Sequence, residues 1–341
     1  MRERVAWIDT LRGMAILLVV LSHQDGGSFL KAYFFSFHVP LWFFVSGYLF
    51  PTESAPDRAL LVQRRWRGVI VPYFGWSLLT YPFWLVAGRH FGIDANLGVP
   101  WWQPLVGIFY GTGQGHWMLH NVPLWFLPCL FVTEQLFLFI HRLRNGTFIV
   151  TALVGFSLLG QLDARFVSFP LPWGLDVAFT AVVFYGIGHL VRRRWATDFV
   201  VAPARVLAIV IGALALQLLF IGRNGPVNMN NQHQGNYLLF YFAALAGISY
   251  YFVLARHLNA NRFLAYCGRN SLVILAAHTI GSSVTKGLVQ FVGGVPIAST
   301  AGSPWWSLFF AGGSLLFCVP VVYVVNTRYP LLAGRAKADA R

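Results

Sequence analysis

The chain has 341 residues, of which 57% are hydrophobic and only 11% are charged. A soluble domain carries about 25% charged residues, so the composition excludes a soluble globular protein and predicts an all-α integral membrane protein. The formal net charge of +14 does not indicate nucleic-acid binding, because the basic residues are scattered between apolar segments and are typical of topology signals.

Ten segments are apolar enough to be predicted as membrane helices, each of which needs about 20 residues. In chain order they lie near residues 7–24, 33–50, 68–88, 122–141, 146–161, 171–191, 204–222, 237–256, 270–292 and 305–326. A further stretch, 101–110, is too short to span, and its Trp, Tyr and Pro content is typical of an interfacial or re-entrant segment. We expect one membrane domain over residues 1–341.

Loop charges predict the orientation of these segments. If the N-terminus is cytoplasmic, eighteen Lys and Arg residues fall on the cytoplasmic side. The opposite loops then hold four cations, Lys31, Arg89, Arg165 and Arg223. This asymmetry predicts that both termini are cytoplasmic, with a basic tail over residues 327–341. We expect no cleavable signal peptide, because the first apolar run contains Arg12 and lacks a small-residue cleavage site.

Arg12 and His23 lie eleven positions apart in the first apolar segment. A helix turns about 100° and rises about 1.5 Å per residue, so both side chains lie on one face, about 16 Å apart. Ionisable groups in a membrane helix are costly and face a protein interior or a water-filled cavity. This pair is therefore the strongest indication of function in the sequence.

His23 is a candidate general base, because an unperturbed histidine titrates near neutrality. Asp25 is a candidate for orienting the His23 ring, although the spacing does not establish that it reaches it. The alternative is an interfacial histidine hydrated among headgroups. Arg12 needs an anionic or carbonyl partner, either Asp9 one turn earlier or a substrate phosphate, and the two are compatible.

The second segment carries polar residues within an aromatic run. His38 lies at the same outer level as His23, and Ser46 precedes a glycine. We interpret both as candidates for substrate binding. For Ser46 the alternative is helix packing, the usual role of small residues in membrane helices.

The run Arg64-Arg65-Trp66-Arg67 is predicted to lie in a cytoplasmic loop. Its arginines suit the phosphates of a cytoplasmic cofactor, and Trp66 is available for stacking. The alternative is a positive-inside anchor that binds nothing.

The outer loops carry further candidates for substrate binding. Trp125 follows one polar outer loop, and the amide-rich loop 223–236 contains His233 and Asn236. Neutral donors and acceptors at this density suit sugar hydroxyls. The alternative is an ordinary solvated loop, since outer loops are often polar.

The ninth segment begins with Asn270 and Ser271 and contains His278. His278 is either a packing histidine or a catalytic one. No His-Glu-x-x-His, Cys-x-x-Cys or Gly-x-Ser-x-Gly pattern occurs, so we predict neither a metal site nor a serine nucleophile. The cysteines are interpreted as small buried hydrophobes without ligand spacing.

Five blocks together resemble the membrane acyltransferase 3 family of bacterial integral membrane O-acyltransferases. They are Trp7-Ile8-Asp9-Thr10-Leu11-Arg12-Gly13 with Arg-x10-His to His23, Phe37 to Tyr48, Arg64 to Tyr73, Leu124-Trp125-Phe126-Leu127, and Asn270-Ser271-Leu272 through His278. Each block is unspecific alone, but the five in this order cover essentially the whole domain. The chain is most similar to the branch that acetylates exopolysaccharide sugars, the fucose 4-O-acetylase-like branch.

The resemblance implies an acyl-CoA donor, usually acetyl-CoA, and a sugar hydroxyl acceptor at the bacterial inner membrane. His23 is then the catalytic base, and Arg12 contacts the donor or supports the helix. We expect direct transfer to a lipid-linked sugar, with Ser46, Asn270 or His38 stabilising the oxyanion. Polysaccharide assembly machinery is the expected partner, and we expect no periplasmic hydrolase-like domain in this chain.

A transporter or flippase for lipid-linked sugars is the alternative class. Ten helices, a polar interior and sugar-compatible loops suit that function equally well. A transporter moves its solute without consuming acyl-CoA, so release of CoA separates the two classes. A structural scaffold is less well supported, because it gives Arg12 and His23 no task.

Overall fold

The computed structural model describes residues 5–51, 57–91, 94–194, 202–259 and 261–335. The chain is 81% helical, and these ranges contain no β-strand, only an isolated bridge between Asn228 and His233. The prediction of an all-α membrane protein is therefore confirmed.

Fourteen α-helices lie in the described ranges. They are α1 (Ala6–Ser22), α2 (Ser28–Phe35), α3 (His38–Tyr48), α4 (Arg58–Arg65), α5 (Val71–Val86), α6 (Trp102–Tyr110), α7 (Phe126–Ile140), α8 (Gly146–Phe166), α9 (Leu175–Arg194), α10 (Pro203–Asn224), α11 (Tyr237–Leu258), α12 (Arg262–Arg269), α13 (Ser271–Phe291) and α14 (Pro304–Arg328).

Nine helical segments of the described chain are long and apolar enough to cross a membrane, and they match nine of the ten predicted segments. The unmatched one is α1, whose 17 residues extend about 26 Å. A crossing by α1 stays a prediction, as does the cytoplasmic location of both termini. α6 has nine residues and is too short to span, as the sequence predicted.

The second predicted segment consists of two helices, α2 and α3, instead of one. Phe37, between them, has non-helical backbone angles (φ −147°, ψ −17°). Pro40 explains the break: it has no N–H to donate to the carbonyl of Ser36, and proline fits best in the first turn of a helix. The break places His38 at the first position of α3.

The third and fifth segments extend beyond their predicted ends. α4, a π-helical turn (Trp66–Ile70) and α5 follow one another without a gap, so the prediction that Arg64–Arg67 form a loop is wrong. α8 continues to Phe166, past the predicted end near residue 161. Both errors have one cause: hydropathy identifies the part of a helix that suits lipid, whereas charged residues such as Arg propagate a helix well.

The helices pack into two compact units. The first comprises the described residues of Met1–Phe50, Ile187–Met229 and His233–Phe317. The second comprises those of Pro51–Gly186, Asn230–Gln232 and Cys318–Arg341. The single domain over residues 1–341 stays a prediction. Of the predicted basic tail, residues 336–341 lie outside the described ranges.

Candidate active site

In the first unit, α1 crosses α12 so closely that only glycine fits at the crossing. A Cβ on Gly13 would lie 1.9 Å from the carbonyl oxygen of Leu264, and a Cβ on Gly268 would lie 1.9 Å from that of Asp9. Small residues allow membrane helices this approach. The crossing fixes the α1 segment that carries Arg12 against the residues that lead into α13.

Arg12 reaches the start of α13. Its Nη2 donates to the hydroxyl of Ser271 at 3.1 Å, so two residues predicted from separate blocks meet. Asp9, the predicted helix partner of Arg12, has its carboxylate 4.0 Å from Nη1 of Arg269. Asp9 thus faces Arg269, while its pairing with Arg12 and a contact of Arg12 with a substrate phosphate stay predictions.

His23 is the residue at which α1 ends, and it is exposed. Its Nδ1 lies 2.8 Å from the carbonyl oxygen of Val19. A carbonyl only accepts, so Nδ1 carries the hydrogen and Nε2 of the neutral ring carries the lone pair. The last turn of α1 therefore supplies the orienting partner that we expected from Asp25, whose catalytic role stays a prediction.

His278 contacts the ring of His23 edge to face, with the ring centroids 5.1 Å apart and the planes at 68°. It is wholly buried, and its Nδ1 donates to the carbonyls of Leu275 (2.9 Å) and Ile274 (3.1 Å). Its Nε2 has no hydrogen-bond partner among the described residues. A buried acceptor of this kind is costly to leave unpaired, by about 1–3 kcal/mol.

His38 has the same arrangement of its ring. Its Nδ1 lies 2.6 Å from the carbonyl oxygen of Phe34, so Nε2 is the unprotonated nitrogen. Both His38 and His278 lie within electrostatic range of His23. An unprotonated Nε2 accepts hydrogen bonds, which suits a substrate hydroxyl. It does not suit an oxyanion, which needs a donor, so the tautomer disfavours that expected role of His38.

Three residues that were not predicted as site residues complete the cluster around His23. Ser282 donates to Oε1 of Gln24 at 2.9 Å, and both are buried. Lys286, partly buried, lies within electrostatic range of His23 and Asp25. The signal was available, because residues 278, 282 and 286 are four apart and therefore share one helix face.

In the second unit, the arginine-rich run Arg64–Arg67 continues from α4 into the π-helical turn. The N–H of Val71 donates to the carbonyl of Trp66, five residues earlier. Pro72, two residues into α5, lacks the N–H that would bond to the carbonyl of Gly68, so the regular ladder is interrupted here. π-turns of this kind are frequent at functional sites.

Arg65 forms an ion pair with Glu134 within the second unit. Its Nη2 lies 2.8 Å from Oε1 of Glu134, whose side chain is 3% exposed. Tyr185 donates to the same oxygen at 3.4 Å. Arg65 thus has a partner inside the protein, whereas Arg64 and Arg67 are exposed and suit a soluble phosphate better.

Trp66 is 44% exposed, and its ring stacks on Trp173 (centroids 6.2 Å apart, planes at 29°). Trp125 is buried at the end of the 3-10 helix Val122–Trp125. Both lie in the second unit, whereas Ser46, partly buried on α3, lies in the first. Binding roles of these three residues stay predictions.

Two other predicted residues have clear structural tasks. Asn236 caps α11, because its Oδ1 accepts from the N–H groups of Leu238 (3.1 Å) and Leu239 (3.2 Å). Asn270 joins α12 to α13, and its Nδ2 donates to the carbonyl of Tyr266 at 2.9 Å. His233 is exposed and pairs through its backbone with Asn228. Substrate binding by the three predicted residues stays a prediction.

The second unit contains a buried histidine of a different kind. Burial lowers the pKa of His120, in the loop before α7, to about 4. Neither ring nitrogen has a hydrogen-bond partner among the described residues, and the ring packs edge-on against Tyr81. The position of His120 in a loop gave no sign of this burial.

The fold and the cluster around His23 and His278 in the first unit define a helical membrane protein with a histidine-centred polar site. Residues 5–324 match the family model described as "Acyltransferase domain". The chain therefore belongs to this acyltransferase family, as the sequence motifs predicted. No curated protein and no solved structure matched the chain.

Proposed function

We propose that the protein transfers an acyl group, in the simplest case acetyl, from acyl-CoA to a hydroxyl of a cell-surface or exopolysaccharide sugar, with His23 as general base. Membership of the acyltransferase family supports acyl transfer. The observation that carries the assignment of the base is the bond from Nδ1 of His23 to the Val19 carbonyl. It leaves an unprotonated nitrogen on an exposed ring, as a base requires.

In the proposed reaction, Nε2 of His23 removes the proton of the sugar hydroxyl as its oxygen attacks the thioester carbonyl. The new oxygen–carbon bond forms, the carbon–sulfur bond breaks, and the thiolate of CoA takes the proton back from His23. The ring is neutral again after each turnover. Such proton transfer is worth about 10²–10⁴-fold in rate.

The remaining residues are assigned to the two substrates by their chemistry. Nε2 of His38 suits a hydroxyl of the acceptor as a hydrogen-bond acceptor. Arg64 and Arg67 are exposed cations that suit CoA phosphates. Arg12 is assigned to the donor as well. We further propose that the acceptor is lipid-linked, and that the protein works in a bacterial inner membrane beside polysaccharide assembly machinery.

The test uses membranes that contain wild-type protein or His23→Gln at equal levels, incubated with [14C]acetyl-CoA. Label is counted in the lipid-linked and polysaccharide fractions, and released CoA is measured with a thiol reagent. We expect a loss of about 100-fold or more in His23→Gln. His257→Gln is the matched control, since His257 is exposed on α11 of the same unit.

Equal labelling by wild type and His23→Gln would refute His23 as the base. A wild-type protein that releases no CoA and labels no fraction, but exchanges sugar lipid across vesicles, would instead support the transporter class.

A further inference from the structure

We infer that His278 is a positioning residue for His23, and that its Nε2 accepts a hydrogen bond from the His23 ring once that ring is protonated. The inference rests on the proposed function only for the role of His23 as base. It assigns His278 a task that packing alone does not explain.

The first argument comes from the tautomer of His278. Both hydrogen bonds of its Nδ1 go to carbonyls of its own helix, so Nδ1 is the donor and Nε2 can only accept. His278 is fully buried, and no described residue donates to that Nε2. Buried polar atoms usually have a hydrogen-bond partner, so the unpaired Nε2 of His278 needs an explanation.

The second argument comes from its neighbour. The ring of His23 lies against that of His278, edge to face, at 5.1 Å between centroids. In the resting enzyme both Nε2 atoms are unprotonated and carry lone pairs, so neither ring can donate a hydrogen bond to the other through Nε2. When His23 takes the hydroxyl proton it gains an Nε2–H and a positive charge. Nε2 of His278, the unpaired acceptor next to it, can then accept a hydrogen bond from that Nε2–H.

The third argument is that the position of His278 is fixed from two sides. Its own carbonyl oxygen accepts from Ser314 on α14 at 2.6 Å. One turn further along α13, Ser282 bonds to Gln24, the residue after His23. One bond holds the backbone of His278 and the other joins side chains next to the two rings, so the ring contact is preorganised.

No net proton passes to His278 in this scheme. The hydroxyl proton moves to His23, is held there by the hydrogen bond to His278 while the carbon–sulfur bond breaks, and then moves to the thiolate. His278 stays neutral, with its hydrogen on Nδ1. It stabilises the protonated state of His23 and thereby lowers the barrier of the step that forms it.

Two other ionisable groups interact electrostatically with His23, namely His38 at the start of α3 and Lys286 on α13. Asp25, in the loop after α1, interacts with Lys286. Lys286 opposes a positive charge on His23, so its removal provides a control of opposite sign.

The test measures the protonation of His23 without either substrate. Purified protein is treated with diethyl pyrocarbonate, which modifies neutral imidazole, and the rate at the His23 peptide is followed by mass spectrometry from pH 4.5 to 8. In His278→Phe the hydrogen bond is lost. We expect the midpoint to fall by about one pH unit, which makes modification about tenfold faster below both midpoints. His278→Gln keeps an acceptor and is expected to stay near wild type, whereas Lys286→Met raises the midpoint.

Transfer assays on the same variants are expected to show a lower kcat in His278→Phe, by about tenfold for a one-unit change, with an unchanged KM for acetyl-CoA. A folded His278→Phe with the wild-type midpoint would overturn the inference, as would a His278→Gln that shifts as far as Phe. If His278→Phe is not monodisperse, His278→Met replaces it with the same expectation. If His278→Phe shows the midpoint shift but the wild type transfers no label, the proposed function is refuted and the inference about the histidine pair stands.

Discussion

The two units hold their buried polar groups by different means. In the first unit, uncharged side chains just after α1 meet side chains of α13, as Gln24 does with Ser282 and His23 with His278. In the second unit, a full charge pair joins Arg65 to Glu134. A charge pair fixes helices strongly, because removing one partner leaves a buried charge. A pair of neutral histidines with an unpaired acceptor can take up and return a proton, which suits chemistry.

The largest expected stability effect comes from breaking the charge pair of the second unit. Arg65→Met leaves the carboxylate of Glu134 buried without its cation. We expect the free energy of unfolding to fall by about 3 kcal/mol, a value that already allows for the 39% exposure of Arg65. Unfolding in detergent by denaturant, followed by tryptophan fluorescence, measures it. Arg64→Met, at the exposed neighbour, is the control and should change stability little while weakening donor binding. Equal stability of the two variants would contradict the contrast between the units.

A smaller effect should appear on acidification, through His120 of the second unit. Its folded pKa of about 4 lies below the unfolded value of about 6.5, so the unfolded state binds the proton more readily. The contribution of neutral His120 to the free energy of unfolding is therefore present above pH 6.5 and is lost as the pH falls toward 4. Between pH 7 and 5 it amounts to about 2 kcal/mol. In His120→Phe the acid-induced loss should shrink by that amount, and an unchanged pH profile of stability would show that His120 is not buried in its neutral form.

Breaking the neutral contact of the first unit is expected to cost less. Ser282→Ala removes the donor to Gln24 and leaves a buried acceptor unpaired, worth about 1–2 kcal/mol. We also expect transfer to slow by less than tenfold, since His23 is displaced but not removed. Ser283→Ala is the matched control, because Ser283 is exposed and bonds to its own helix. If Ser283→Ala costs as much in the unfolding assay, the contact between α1 and α13 carries no special weight.

The smallest expected effect concerns the N-terminal end of α11. Asn236→Ala removes a helix cap and should cost about 1 kcal/mol, whereas Asn236→Asp, which keeps the cap, should not. Transfer kinetics then separate capping from sugar binding. A raised KM for the acceptor in both variants would support the predicted substrate contact, and an unchanged KM would leave only the cap.

Much of the first unit could be predicted from the sequence, because its chemistry is carried by residue types that are costly in lipid. Arg12, His23, Ser271 and His278 were all selected, and the structure places Arg12 against Ser271 and His23 against His278. The partner of the His23 ring could not be predicted, since Val19 contributes a backbone carbonyl. Side-chain patterns carry no information about which carbonyl a helix end leaves available.

In the second unit the prediction was weaker for a related reason. Arg64, Arg65 and Arg67 form one charged run in sequence, and a shared loop with a shared role was the simplest interpretation. The structure divides them: Arg65 pairs with Glu134, a residue 69 positions later, whereas its neighbours are exposed. Nothing local to the run distinguishes Arg65, because its partner comes from another helix.

The π-helical turn at Trp66–Ile70 makes chain length, rather than composition, decide which arginine faces Glu134. Such a turn accommodates one residue more than a regular helix would, so everything before it is rotated by about 100° relative to everything after it. Deleting one residue from the turn would restore a uniform helix and swing Arg65 away from its carboxylate, with every other side chain retained. The segment therefore tolerates substitution more readily than a change in its count of residues.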